Sequence, residues 1–309
     1  MSNESVDVRG WPGLWLAGDH LRLGLVPQLG GRICSAQHDG EELLFVDERL
    51  SGVLPDIRLP NDDKSALADL KTALGFQLWG GNKLWVAPEA AWIAGTPPLD
   101  LDAGCYGAVT DGQSVTMISP VCRETGVRLT RRVELTHDDC VVIDQRMENC
   151  GEKDVAWGMW DVTQWLRPFD VYVAARRDRL RPYELGDSAR LFDRVVQEAN
   201  NWTRVVCDDS VEFKFGGIAE RGRMIAVRAA ELGALVVDVE FPNNSSGEYA
   251  HDSSVEVYNS SKYPYLELET HRQREVIPPG GSVEFREQWH ISRVGGPFGP
   301  EALPPLVDA

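Results

Sequence analysis

Residues 126–147 read GVRLTRRVELTHDDCVVIDQRM, and the alternation in this stretch decides the fold class. In Gly126–Leu135 the apolar residues Val127, Leu129, Val133 and Leu135 fall on every second position, or multiples of it. Cys140–Met147 repeats the pattern with Val141, Ile143 and Met147. A period of two belongs to an extended strand with one buried face, because successive side chains point to opposite sides. The polar residues Thr136–Asp139 between the two runs, His137 among them, read as a solvated turn.

Working outward, the same period recurs in His20–Val26, Ser114–Ser119, Met224–Ala229, Ala234–Phe241 and Ser282–Ile291. Gly, Pro, Asn and Asp clusters separate the runs, as at Asp39-Gly40, Asp111-Gly112, Asn149-Cys150-Gly151 and Pro278-Pro279-Gly280-Gly281. One segment carries helical signals: Asp62–Leu74, with Asp62 or Asp63 as N-cap and Gly75 as stop. A shorter piece near Asp187–Phe192 is a second candidate for a helical turn. No repeat of fixed period appears. Many half-buried strands with so few helices must pack sheet on sheet. The expectation is an all-β protein, a single large antiparallel β-sandwich over residues 1–294 with one or two short helices. A Pro-rich tail, 295–309, is expected to lie along its surface or to be partly loose.

The chain has 309 residues and a formal charge of −17, from 31 Lys+Arg against 48 Asp+Glu. So acidic a protein repels nucleic acid and anionic membrane at long range, so neither is an expected partner. No apolar stretch approaches the ~20 residues of a membrane span. The first ten residues, MSNESVDVRG, lack the charged and apolar regions of a signal peptide. The six cysteines are scattered without C-x-x-C spacing and read as reduced thiols, which also leaves the sequons at Asn201 and Asn259 without weight. These features together give the expectation of a cytoplasmic protein. Nothing in the sequence specifies an oligomeric state.

Three regions carry polar residues that a sandwich does not require. The first is Pro27–Ile33, PQLGGRI, where Arg32 either makes a surface ion pair beside a tight turn or folds its rigid fork over a pocket. The second is Gly80–Glu89, GGNKLWVAPE. Its two glycines permit close backbone approach, and Asn82 and Lys83 offer hydrogen bonds. Trp85 adds a flat apolar wall with one polar handle, followed by Glu89. That combination suits a sugar, polar at its rim and apolar on its C–H faces. Ten tryptophans in the chain are more than a core of this size demands, so several are expected to wall a cleft.

The third region is Ser254–His271, SVEVYNSSKYPYLELETH. Glu256 and Tyr258 alternate with Val255 and Val257, while Tyr265, Glu267 and Glu269 alternate with Leu266 and Leu268. Two carboxylates on one strand face are costly to bury together unless a proton is shared or a cation stands near. Glu267 and Glu269 are thus either both solvated, or one of them serves as a general base. The six histidines never pair at metal-ligand spacing, so no metal site is expected. His251, on a polar loop before the Glu256 strand, is the best candidate for a proton donor. The absence of G-x-S-x-G, P-loop and G-x-G-x-x-G motifs removes the usual hydrolase-elbow and nucleotide-binding readings.

Taken in order, these regions resemble the galactose mutarotase-like (aldose 1-epimerase-like) superfamily, most of all a bacterial branch of it. Gly30-Gly31-Arg32-Ile33 is similar to the family's opening turn, and Gly80-Gly81-Asn82-Lys83 to its Gly-x-x-Asn-Arg-like loop. Trp85–Glu89 matches the branch's Trp-x-Ala-Pro-Glu string. Cys150–Gln164, with Trp157, Trp160 and Gln164, looks like the central strand crossing the cleft. Tyr265–Thr270, Ile277–Gly281 and Ser282–Ile291 resemble the glutamate strand, the closing turn and the last strand. The likeness spans Leu14 to Ser292. It implies a β-supersandwich with a sugar or short glycan bound on a concave face.

The resemblance further implies general acid–base catalysis without cofactor. A glutamate takes the anomeric hydroxyl proton and an acid protonates the ring oxygen. Either Glu267 or Glu269 would be that base. The family's two histidines have no counterpart at the equivalent places, so Lys83 or His251 would stand in as acid. Arg32, Asn82, Trp85, Glu89, Trp160 and Gln164 would contact the sugar. The leading expectation is therefore an isomerase of the aldose 1-epimerase kind. Two alternatives keep the same cleft. One is a glycoside hydrolase or lyase in which Glu89 faces Glu267 or Glu269. The other is a non-catalytic carbohydrate-binding protein.

Overall fold

The two runs that opened the reading pair directly. Val127–Leu135 and Cys140–Asn149 are antiparallel neighbours, with Leu135 opposite Val141 and Val127 opposite Asn149. The computed structural model describes residues 6–58, 63–185 and 193–306. Within it the strands form two large antiparallel sheets, as the alternation predicts.

The first sheet runs, edge to edge, through Val6–Val8, Trp11–Ala17, Leu21–Val26, Arg32–His38, Asn82–Ala87, Val155–Leu166, Tyr265–Ile277, Val255–Asn259, Phe213–Gly217 and Leu180–Pro182. The short strand Glu41–Glu42 pairs beside Arg32–His38. The second sheet runs through Val195–Gln197, Thr203–Cys207, Phe169–Val173, Arg223–Ala230, Gly233–Glu240, Ser282–Gly295, Cys140–Asn149, Val127–Leu135, Ser114–Ile118 and Gly107–Thr110. Side chains from the facing surfaces interdigitate in one core, Leu84, Val86, Trp165, Leu266 and Leu268 meeting Leu129, Val133, Ile143, Phe285 and Trp289. The strand Tyr265–Ile277 carries a bulge: it has one residue more than Val155–Leu166 between the pairs Trp157–Glu275 and Met159–Arg272.

The helix falls at Lys64–Leu74, with the Asp63 carboxylate accepting from Ser65 N at 2.8 Å and Gly75 closing it. Asp62 and the candidate helical turn at Asp187–Phe192 lie outside the described residues. A second helix of one turn, Leu99–Asp102, has no periodic signal in the sequence. The Pro-rich tail is docked: Phe298, Leu303 and Leu306 pack on Tyr172, Trp202 and Ile225, and Trp202 Nε1 donates to Pro304 O at 2.7 Å. Among the described residues no helix is long and apolar enough to cross a membrane.

Candidate functional site

Five adjacent strands of the first sheet bring the three polar regions together. Their registers set Trp85, Trp160 and His271 in one row, and Lys83, Val162, Glu269 and Glu256 in the next. Gln164, Glu267, Tyr258 and Lys214 form a third. Alternation does the sorting. Leu84, Thr163, Leu268 and Val257 point toward the second sheet, so their neighbours face away from it.

Lys83, Gln164 and Glu267 meet on one side of this outward face. Glu267 Oε1 accepts from Gln164 Nε2 at 2.6 Å and lies 3.6 Å from Lys83 Nζ. The Glu267 side chain is 15% exposed, that of Lys83 only 3%. Burial pulls the Lys83 ammonium down to about 8, against the pull of Glu267 in the other direction. Its Nζ has no hydrogen-bond acceptor among the described residues, and it rests 4.9 Å from the Trp85 ring.

Deeper in lies a tight charged cluster. Glu269 Oε2 accepts from Trp160 Nε1 at 2.7 Å and from Lys214 Nζ at 2.9 Å. The same ammonium is 2.7 Å from Glu256 Oε2. Glu256 also accepts from the Tyr183 hydroxyl, and His271 Nε2 and His251 Nδ1 approach it at 3.3 and 3.4 Å. On its other side His251 Nε2 meets Glu89 Oε2 at 2.5 Å. Burial drives Glu269 well above the ordinary carboxylate range, Lys214 notwithstanding. For Glu256 burial acts the same way, but His271, Lys214 and His251 outweigh it and hold the group well below that range. Burial lowers His271; it would lower His251 too, but Glu256 and Glu89 bring that ring up to about 9. Two carboxylates around one ammonium are thus shifted in opposite directions, Glu256 down and Glu269 up.

Of the residues singled out from sequence, Lys83, Glu267, Glu269, His251, Glu89, Trp85, Trp160 and Gln164 converge here. Arg32 and Asn82 do not reach this surface as ligand-binding groups. The Arg32 fork is consumed by Gly80 O at 2.9 Å and by the backbone and carboxylate of Asp102, which also takes Trp85 Nε1 at 2.7 Å. Its role is to brace the Trp85 wall from behind. Asn82 belongs to the opposite parity and points between the sheets. There its amide donates to Asp161 and to Thr163 Oγ1, and its carbonyl accepts from Arg131. Arg131 reaches Asp161 at 3.6 Å, Gln145 Nε2 donates to Asp161 at 2.8 Å, and Glu287 nearby accepts from Thr270 and Trp289.

The Gly-Gly pair before Asn82 also has a structural reason. Gly80 and Gly81 adopt φ of +91° and +70°, and a Cβ on either would lie 2.2 Å from Phe45 O or 2.3 Å from Ile33 O. The close approach is to backbone. The tryptophans Trp85, Trp92 and Trp160 pack on one another, with centroids 5.1 to 5.8 Å apart, and form the floor beneath the polar groups. Glu89 pairs with His251 and not with Glu267 or Glu269.

Sequence reading did not single out Lys214, Tyr183 or His271. The signals were present: Lys214 alternates with Phe213 and Phe215, and His271 continues the parity of Glu267 and Glu269. His251 and His271 both approach Glu256, with ring centroids 4.9 Å apart, which sets a histidine pair beside a glutamate other than Glu267 or Glu269. Linear spacing gave no metal-ligand pair among the histidines, but the fold brings three possible donors close together. One donor atom each from His251, Glu256 and His271 falls within 4.8 Å of the others. Residues from different strands and a loop assemble what linear spacing could not show.

No protein-family model matches the sequence, and comparison with curated proteins finds no match. Solved structures do share the fold. A galactose mutarotase-like protein from Lactobacillus casei aligns with TM-score 0.59 at 9% identity, over 91% of this chain and 100% of that one. An Escherichia coli protein provisionally assigned as an aldose 1-epimerase aligns with TM-score 0.53 at 12% identity, over 91% and 99%. A galactose mutarotase-like protein from Clostridium acetobutylicum gives 0.51 at 9%, over 91% and 95%. The architecture is therefore a galactose mutarotase-like β-sandwich. At these identities the likeness is one of fold, and the chemistry rests on the side chains.

Proposed function

We propose that the protein binds a sugar against the outward face of the first sheet and interconverts its anomers, with Glu267 as base and Lys83 as acid. The observation that carries this reading is the Lys83–Glu267 pair. A buried ammonium with no hydrogen-bond acceptor among the described residues stands 3.6 Å from Glu267, whose side chain is more exposed than those of Glu256 and Glu269. The anomeric hydroxyl oxygen and the ring oxygen share one carbon, so an acid and a base this close can address both. Glu267 takes the hydroxyl proton while Lys83 gives a proton to the ring oxygen, and the C1–O bond of the ring opens to the aldehyde. Rotation about C1–C2 and closure with the two roles exchanged deliver the other anomer. A Lys83 pKa of about 8 suits a group that must both give and regain a proton near neutrality.

Burial supports Glu267 over Glu269. Glu269 is closed off from solvent and committed to Trp160 and Lys214, which makes it a support for the floor. The hydrolase or lyase alternative needs Glu89 opposite one of these carboxylates, and its engagement by His251 removes the motive for it. Polarimetry on freshly dissolved α-glucose and α-galactose tests the proposal: acceleration over buffer is expected. Binding of either sugar in a calorimeter without acceleration would reduce the protein to a carbohydrate-binding module.

A further inference from the structure

The charged cluster beside the acid–base pair has a second property, independent of sugar chemistry. His271 is fully buried, yet its Nε2 has no hydrogen-bond partner among the described residues. It stands 3.3 Å from Glu256 Oε2, while His251 Nδ1 stands 3.4 Å from Glu256 Oε1. With metal–ligand bonds of about 2.0–2.1 Å, neighbouring donors of a tetrahedral ion fall about 3.3–3.4 Å apart. The two contacts reach different Glu256 oxygens and are both long for good hydrogen bonds, and one donor atom from each residue lies within 4.8 Å of the others. Two imidazoles and one carboxylate form a donor set for zinc-like ions, not for magnesium or calcium, which prefer oxygen alone.

The surroundings are also those of a metal centre. A ligating histidine commonly gives its second ring N–H to a carboxylate that fixes its orientation. Glu89 Oε2 lies 2.5 Å from His251 Nε2, on the side of the ring away from Glu256, though out of hydrogen-bond alignment. Glu89 and Glu256 supply negative charge around the donors. Lys214 is the competing cation at Glu256, but its second carboxylate partner, Glu269 at 2.9 Å, can retain it when another cation takes Glu256.

We propose that His251, Glu256 and His271 form a binding site for one divalent transition-metal ion of zinc-like chemistry. The 309-residue chain, stripped with a chelator, is titrated with Co2+ alone and followed by visible absorption and calorimetry, then challenged with Zn2+. The expected result is one equivalent bound, the absorption of a low-coordinate cobalt centre, and its loss when Zn2+ displaces the cobalt. Glu89→Gln leaves the three ligands and weakens affinity ~10–100-fold, and His271→Gln weakens it by more than ~100-fold. Thermal melting checks that each variant folds. If His271→Gln does not, the half-exposed Glu89 carries the test. A wild-type protein that binds no stoichiometric cobalt, or affinity unchanged in the folded variants, overturns the proposal.

Discussion

Asn82 and Lys83 are consecutive residues of one strand, and their side chains enter two different electrostatic environments. On the inner side Arg131, Asp161, Glu287, Asn82 and Gln145 are sealed between the sheets. On the outer side Lys83 and Glu267 lie on the face turned away from the second sheet, and Glu267 retains some exposure. Both sides set carboxylates near a cation. The inner set is densely bonded, with Arg131 bonding Gly31 O and Asn82, and Glu287 accepting from Thr270 and Trp289, while Arg131 Nε and Gln145 Oε1 have no partner among the described residues. The outer set leaves Lys83 Nζ without an acceptor. Satisfied buried polar groups specify a structure, whereas an unsatisfied donor at a partly open face is where a ligand's oxygen gains most.

That contrast breaks most visibly at Arg131. Arg131→Met leaves Asp161 buried without its cation, and a loss of about 3–5 kcal/mol in unfolding free energy is expected by denaturant titration. The surviving folded fraction should bind sugar as wild type does. On the outer side the same kind of change should cost turnover and spare the fold. Glu267→Gln, which preserves the acceptor for Gln164, is expected to lower the polarimetric rate by ~10²–10⁴-fold. Glu269→Gln should cost far less, and equal small losses from both would remove the acid–base assignment.

The two sides also differ in the sign of their pH dependence. Burial, and then the charge of Asp161, push Glu287 from 4.5 up to about 8 in the folded protein. Between those values the folded state binds more proton than the unfolded, so this group's contribution to stability falls as pH rises. Lys83 moves the other way, from 10.5 down to about 8, so its contribution rises between about pH 8 and 10.5. Subtracting the melting profile of Glu287→Gln from that of wild type should expose a decline below pH 8. The Lys83→Met difference should expose a rise above it. The smallest effect is kinetic: wild-type turnover should decline as pH passes about 8 and the Lys83 ammonium is lost, a decline absent from the residual activity of Lys83→Met.

Much of the sandwich was legible because one buried face per strand writes itself as a period of two. Val127–Leu135 and Cys140–Asn149 are the plainest cases. The one-turn helix Leu99–Asp102 was not legible, being too short to show a period and fixed by its packing. On the outer face the alternation of Glu267 and Glu269 with leucines was enough to nominate them, whereas Lys214 and Tyr183 come from strands or loops whose pairing is non-local. Asn82 was misassigned because a polar residue beside Lys83 was read as its functional companion, although parity puts it on the other side. The inner set was itself written in the chain. Arg131, Gln145 and Glu287 occupy core-phase positions among Val133, Ile143 and Phe285, a polar exception to the pattern that opened the reading.

The bulge in Tyr265–Ile277 has one more consequence. Leu266, Leu268 and Thr270 turn toward the core at even positions, yet Ile277, at an odd one, is also buried in it. The extra residue resets the phase midway. Without it, anchoring Ile277 would rotate Glu267, Glu269 and His271 inward, and these polar groups of the strand would exchange places with a leucine or a threonine. One inserted residue therefore acts as a hinge pin in sequence space. The anchor end and the reactive end of this strand can each vary by substitution without dragging the other out of frame, while a single deletion between them would invert the surface.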